Sequence, residues 1–344
     1  MIFVSDNAVG VAPEILAAMT EAAEGSHLPY GNDVWTQGLE ERFKQVFETD
    51  DLHVMPIATG TAANALTLSA MMPAYGRVLC HEVSHIYFEE ISAVEFFSGG
   101  GRLVPMPGEN GKLDPADLRR HVERGRRGNL DPEQPFVVSI SQMNEMGIVY
   151  QPEEIARIGD FCREFGYPLH MDGARFANAL AGLGCAPADI TWRAGVDALS
   201  FGATKNGGYS SDAIVFFGPV SRKDVELRFK RSGHIFSKAY ALSSQLTAYL
   251  EDDLWLRNAR HANAMAAMLA DRLENIGIRL ESRPDGNEVF AHIPDDAVTR
   301  LRDAGGRFYP WHLFGDDAYR LVTSWTTSPA DIDRFLSIVS ASAA

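Results

Sequence analysis

Leu169-His-Met-Asp-Gly-Ala-Arg-Phe176 and, downstream of it, Ser200-Phe-Gly-Ala-Thr-Lys-Asn-Gly-Gly208 decide how this chain is read. Each begins as an apolar run and ends in small and polar residues, as a strand does where it delivers side chains to a site beyond its carboxyl end. The first offers a carboxylate, Asp172, and a guanidinium, Arg175. The second offers a single lysine, Lys205, among Gly, Ala, Thr and Asn, with no acidic residue beside it. Taken singly, each has an ordinary reading as a loop lysine or a helix-capping aspartate.

The same alternation runs outward from this pair. Phe136-Val-Val-Ser-Ile-Ser141 reads as a buried strand and Pro152 to Phe165 as a helix. Upstream, Leu52-His-Val-Met-Pro-Ile-Ala58, Arg77-Val-Leu-Cys80 and Arg102-Leu-Val-Pro-Met106 are strands, with Ile2 to Val4 a further short one. Helices are expected at Pro13 to Ala23, Trp35 to Phe47, Ala65 to Met72, Ile86 to Phe97 and Asp114 to Arg127. Ala213-Ile-Val-Phe-Phe217 follows Lys205 as another strand. Short apolar strands alternating with amphipathic helices predict an α/β fold with a mainly parallel sheet. Beyond about residue 220 the pattern changes. Ser221 to Lys230 and Ala239 to Glu274 read as helices, Glu288 to Ile293 and Tyr319 to Trp325 as strands, and Pro329 opens a last helix. This predicts a large domain over 1–240, with the N-terminal segment included, and a smaller α+β domain over 241–344.

Several clusters carry chemistry. An amine with an ordinary pKa of about 10 needs an unusual setting to act as a nucleophile. A lysine at one strand end with a carboxylate from its neighbour suits pyridoxal phosphate, which needs a Schiff-base lysine and an acidic partner for its ring nitrogen. Thr59-Gly60-Thr61-Ala62 lies between a strand and a helix, where backbone N–H groups form an anion site. His81-Glu82-Val83-Ser84-His85 matches the H-E-x-x-H zinc-hydrolase pattern, but that motif needs both histidines one turn apart on a helix face. Here it follows a strand directly, so no metal site is assigned. A histidine at a strand end, such as His85 stacking on a cofactor ring, fits the layout better. Gly108-Glu-Asn-Gly-Lys112 lacks the spacing and hydroxyl of a nucleotide P-loop.

Composition narrows the class. The chain has 344 residues, 46% of them hydrophobic, and a net charge of −15, which speaks against a nucleic-acid or anionic-membrane partner. Three scattered cysteines, Cys80, Cys162 and Cys185, without CxxC spacing, argue against a disulfide framework. With no signal-like N-terminus and no long apolar run, a cytoplasmic protein is expected.

Nearly end to end, the chain resembles the low-specificity L-threonine aldolases, within the fold type I (aspartate-aminotransferase-like) pyridoxal phosphate enzymes. The resemblance rests on Val4-Ser5-Asp6, Tyr30-Gly31 followed by Leu39-Glu-Glu-Arg-Phe43, Thr59-Gly60-Thr61, Ser84-His85-Ile86-Tyr87 and Gly147-Ile-Val-Tyr150. It continues through His170-Met-Asp172-Gly-Ala-Arg175, Ser200-Phe-Gly-Ala-Thr-Lys205-Asn-Gly and Arg320-Leu-Val-Thr323. It implies a seven-stranded, mainly parallel sheet and an aldolase that cleaves L-threonine, L-allo-threonine and related β-hydroxy-α-amino acids to glycine and an aldehyde. By the same resemblance Lys205 is the Schiff-base lysine, Asp172 pairs with the ring nitrogen and His85 stacks on the ring. His85, directly or through water, is also the candidate base for the β-hydroxyl proton, a role its stacking competes with. Gly60, Thr61 and Ala62 hold the phosphate. Ser5, Arg175 and Arg320 hold the substrate carboxylate, with Arg175 also near the cofactor. Tyr30 and Arg231 come from a neighbouring subunit of a homotetramer built as a dimer of dimers. Other lyases of the same fold, β-eliminating or of the phenylserine type, share this cofactor site. The chain departs from the common pattern at Val4 and Asn7, at Val34-Trp35 and at Ser324, where a histidine is frequent.

Overall fold

The computed structural model describes residues 1–126, 136–218 and 221–341. Helices α1 (Pro13–Ala23) and α2 (Val34–Phe47) precede β1 (Leu52–Ile57) and α3 (Gly60–Met71). β2 (Arg77–His81), the short α4 (His85–Phe88) and α5 (Ala93–Ser98), β3 (Arg102–Met106) and α6 (Pro115–Arg126) follow. Arg127, the expected end of that helix, lies outside the described residues. β4 (Phe136–Ser141), α7 (Pro152–Phe165), β5 (Leu169–Gly173), α8 (Phe176–Leu183), β6 (Ala198–Phe201) and β7 (Asp212–Phe217) complete the large sheet and its helices. Then come α9 (Arg222–Ser232), α10 (Tyr240–Leu250) and α11 (Leu254–Asn275). The second layer holds β8 (Arg279–Leu280), β9 (Glu288–His292), α12 (Asp295–Asp303), β10 (Tyr309–Pro310), β11 (Ala318–Val322) and α13 (Pro329–Val339).

The seven strands lie in the order β1-β7-β6-β5-β4-β2-β3. β4 to β7 are buried along their whole lengths, as strands covered by helices on both faces are. β7 runs antiparallel to both β6 and β1, while the other pairs are parallel. This one reversal has a functional consequence. The carboxyl ends of β1, β2, β4, β5 and β6 all reach the same edge, and β7 presents its first residue, Asp212, there too. Register then sets Asp172 opposite Ser141 on one side and Ser200 on the other.

Local differences from the sequence reading have physical causes. The helix expected from Ile86 to Phe97 breaks, with Ile91 and Ser92 at φ +44° and +59°. His85 and Glu90 bond to each other, and residues five apart face different sides of an unbroken helix. The long segment from Ala239 divides at Glu251-Asp-Asp253, where Asp252 and Asp253 are left-handed. Three acids at the carboxyl end of a helix oppose its dipole. The strand expected at Ile2 to Val4 is reduced to a bridge between Ile2 and Arg307. The core divides within α11. Leu246, Tyr249, Trp255 and Ala259 pack with the large sheet, while Met265, Leu269 and Leu273 pack with the small one, together with Phe3.

Beneath the carboxyl end of β6 lies an aromatic cluster. Phe201 meets Phe43 edge-on at 5.2 Å and Trp255 at 5.7 Å, and Phe47 contacts Phe43, Phe176, Phe201 and Phe217. Phe47 is fully buried. Phe47→Ala is expected to lower the free energy of unfolding by about 3–5 kcal/mol, read from urea denaturation, whereas Phe47→Leu should lose well under half of that.

Candidate active site

A cavity of about 1060 Å³ opens at the shared strand edge, and Lys205, Asp172, His85, Gly60, Thr61, Ser5, Arg175 and Arg320 all line it. Residues spread over the whole chain thus meet, as the strand-end reading predicts.

Lys205 sits in a short turn after β6 that is fixed from three directions. Asp212 Oδ1 accepts the N–H groups of Ala203 (2.8 Å) and Thr204 (3.1 Å). Asn206 donates to Tyr249 Oη and to the Trp255 carbonyl, both at 2.8 Å, and its own carbonyl accepts from Asn258 at 2.9 Å. The Gly207 carbonyl accepts from the Ala12 N–H at 2.8 Å. Burial, and then the nearby Arg175 guanidinium, push the Lys205 ammonium below its usual range. That shift favours the neutral, nucleophilic amine.

Asp172 is buried, and its Oδ2 accepts from Asn64 Nδ2 at 2.8 Å. The same Asn64 nitrogen donates to Glu90 Oε1 at 2.9 Å, and Glu90 Oε1 also meets His85 Nδ1 at 2.9 Å. The Glu90 hydrogen bond raises the His85 pKa, and burial raises that of Glu90. Ligand atoms of His85, Glu90 and Asp172 lie within 4.8 Å of one another. The H-E-x-x-H pattern does not form a zinc site. His81 ends β2 rather than sharing a helix with His85, and its two ring nitrogens bond the Gly108 carbonyl (3.0 Å) and the Val83 N–H (3.2 Å).

At the start of α3 the Thr59 hydroxyl accepts the Ala62 N–H at 3.3 Å and the Thr59 carbonyl accepts that of Ala63. The N–H groups of Gly60 and Thr61 keep no acceptor among the described residues, so they are the free anion donors of this helix, and Ala62 is committed to its cap. A Cβ placed on Gly60 would come within 3.8 Å of Asp212 Oδ2.

The two arginines belong to a buried ion network. Arg175 donates to Asp6 through Nε (2.8 Å) and Nη2 (3.1 Å), and Nη2 lies 3.3 Å from Glu288. Arg320 Nη1 is 3.5 Å from the same Glu288 carboxylate, and its guanidinium stacks 4.5 Å above Trp311. Burial alone would raise the Asp6 carboxyl, but Arg175, Lys205 and Asn287 outweigh it and hold it below the usual range. Two buried carboxylates thus hold two guanidinium groups at the cavity wall, where their remaining N–H donors suit a substrate carboxylate.

Tyr30 and Arg231 do not join this cavity. Tyr30 lines a second one, of about 930 Å³, with Glu40, His53 and Arg222, and Arg231 is exposed in the last turn of α9. Asn64, Glu90, Glu145, Asp6, Asp212 and Glu288 escaped the sequence reading as site residues. Only Asp6 and Asp212 carried a signal, the first as part of the polar Ser5-Asp6-Asn7 and the second as a carboxylate at the mouth of a strand.

These groups fit pyridoxal phosphate. Lys205 is an amine with a lowered pKa, Asp172 is a buried carboxylate, and α3 offers free N–H groups for a phosphate. Asn64 Oδ1 and Glu90 Oε2 are buried polar atoms without a partner among the described residues, on the wall between them.

A β-eliminating lyase family model matches residues 3–296. A low-specificity L-threonine aldolase of Pseudomonas sp. (strain NCIMB 10558) is 42% identical over 331 residues, 96% of this chain and 94% of its own. A threonine aldolase structure from Leishmania major superposes with a TM-score of 0.91 at 29% identity, covering 98% of each chain. A Sphingomonas wittichii serine palmitoyltransferase superposes at 0.73 with 16% identity, covering 99% of this chain and 86% of its own, a likeness of fold alone.

Gly202 tests how closely β5 and β6 must approach, because a Cβ there would stand 2.4 Å from the Ala174 carbonyl oxygen. Gly202→Ala should therefore separate Asp172 from Lys205 and weaken pyridoxal phosphate binding more than tenfold, about 1.4 kcal/mol, read from titration of the cofactor-free protein.

Proposed function

Because the chain belongs to the β-eliminating lyase family, among the low-specificity L-threonine aldolases, we propose that its strand-edge cavity cleaves L-threonine and related β-hydroxy-α-amino acids to glycine and an aldehyde. It is a pyridoxal phosphate-dependent carbon–carbon lyase. The observation that carries the residue assignment is the meeting of Lys205, Asp172 and the Arg175–Arg320 pair around one cavity.

Bound pyridoxal phosphate supplies a sink for the electron pair left on Cα when the β substituent departs. Lys205 would hold it covalently, and its lowered amine pKa favours the neutral, reactive nitrogen. Asp172, held by Asn64, places a carboxylate for the ring nitrogen. Gly60 and Thr61 offer backbone donors to the phosphate, and His85 supplies a ring wall beside it. Arg175 and Arg320, fixed by Asp6 and Glu288, receive the substrate carboxylate, with Ser5 at the same end. Holding that carboxylate in one plane would fix the substrate about Cα and so select which bond breaks.

The working unit in this reading is a homo-oligomer in which Tyr30 and Arg231 complete a neighbouring subunit's site. Exposed Leu28, Tyr30, Val34 and Phe236 support it, since apolar side chains gathered at a surface mark contact areas. No helix of the described residues is long and apolar enough to cross a membrane. Cys80, Cys162 and Cys185 are free thiols, which agrees with a reducing cytoplasm.

Products separate this reading from β-elimination on the same fold. L-Threonine should yield glycine and acetaldehyde in equal amounts by NMR, and 2-oxobutanoate with ammonia as the main products would overturn the aldolase assignment. Asp172→Asn should lower turnover by well over tenfold, about 1.4 kcal/mol of barrier, in a steady-state assay of acetaldehyde release. A smaller loss would remove Asp172 from its role.

A further inference from the structure

Retro-aldol cleavage requires a group to take the β-hydroxyl proton, and the structure offers two candidates at the cavity wall. His85 is one, but its Nδ1 is committed to Glu90 and its ring is already assigned to the cofactor as a stacking wall. Glu145 is the other. It lies in the turn after β4, and this turn is built rigidly. Asn144 Oδ1 accepts from the Met146 and Ile148 N–H groups at 3.0 and 3.1 Å, and Asn144 Nδ2 donates to the Asn110 carbonyl at 2.8 Å. Gln142 exchanges two 2.9 Å hydrogen bonds with the backbone of Tyr150, and its own N–H donates to the Asp172 carbonyl at 2.7 Å. The turn is thereby tied to the strand that carries Asp172.

Within it, Glu145 Oε1 accepts the His85 N–H at 2.6 Å and the Ser141 hydroxyl at 3.4 Å. Oε2 accepts no hydrogen bond from another described residue, and Glu145 lines the cavity. A carboxyl held through one oxygen in the wall of the substrate space is placed to exchange a proton there. From this geometry we propose that Glu145 is the catalytic base that accepts the β-hydroxyl proton, His85 being a positioning residue. The inference rests on the aldolase reading above.

The charges around Glu145 suit that task. Asp172 on β5 opposes its ionisation; His85 favours it, and Arg175 is within charge range. Glu90, Lys205 and Arg320 share the cavity, and Cys80 and Tyr150 are within charge range of Glu145. Burial first, then Asp172, push its carboxyl up to about 7. A base works best when its pKa lies near the operating pH. In the step, the β-hydroxyl O–H bond breaks and its proton bonds to Glu145 Oε2. The released electron pair becomes the second bond of the aldehyde carbonyl, while the Cα–Cβ pair remains on Cα, which takes a proton from water to give glycine, and Glu145 returns its own proton to water.

The test compares wild type with Glu145→Gln and Glu145→Asp as holoenzymes. Acetaldehyde release from L-threonine should fall by about 10²- to 10⁴-fold in the Gln variant. Exchange of the glycine Cα proton with D₂O, which involves no β-hydroxyl, should stay within about threefold of wild type. In wild type, kcat/KM should rise with pH through about 7 as Glu145 ionises, and that limb should be absent in Glu145→Gln. Glu145→Asp should recover part of the rate with a shifted limb. Infrared titration of the cofactor-free protein should show a carboxyl ionising near pH 7 that the Gln variant lacks. Threonine cleavage surviving in Glu145→Gln, or a pH limb unchanged by it, overturns this inference alone. A wild-type protein that exchanges the glycine proton but releases no aldehyde overturns the aldolase reading, and this inference with it.

Discussion

An amine withdrawn from water beside a guanidinium is the constraint on which the rest of this structure depends. Lys205 shares its cavity with Arg175, and both burial and that neighbour disfavour its charge. Such a group can be kept in place only by a backbone that cannot relax. The turn carrying it is accordingly held by Asp212 from β7, by the Asn206 bonds to Tyr249 and Trp255, and by Ala12 near the N-terminus. Reversal of β7 is what brings Asp212 to this edge. A parallel strand in its place would deliver its last residue there instead.

The second consequence is a surplus of buried acids. Asp6 and Glu288 neutralise the arginines, Asp212 holds backbone N–H groups, and Glu90, Glu145 and Asp172 crowd the opposite wall. Like charges at short range cannot all ionise at once. Asn64, by donating one nitrogen to both Glu90 and Asp172, holds two of them together at fixed geometry. Burial and neighbouring charge thus divide the acids by role. Some are held ionised by cations, whereas Glu145 is pushed toward neutrality and can hold a proton.

Much of this was legible in the sequence, and for definable reasons. A buried parallel strand writes itself as an apolar run ending in small residues, so Phe136–Ser141, Leu169–Gly173 and Ala198–Phe201 could be located, and with them the edge where Asp172 and Lys205 meet. Direction is not written in such runs, so the reversal of β7 was not visible. Nor was the break at Ile91-Ser92, which no glycine or proline marks. Glu145 and Glu288 look like ordinary surface acids in one dimension. Only the folded chain places the first against the N–H of His85 and the second between two arginines. Phe3 packs in the core of the small sheet and the first half of α11 in that of the large one, contacts that no local pattern announces.

The most direct test of the account is to reduce the purified holoenzyme with borohydride and map the modified peptide. The account predicts a visible absorbance band lost on reduction, with the cofactor fixed on the peptide that contains Lys205 and on no other. A cofactor recovered on a different lysine, or a protein that takes up no pyridoxal phosphate at all, would contradict it.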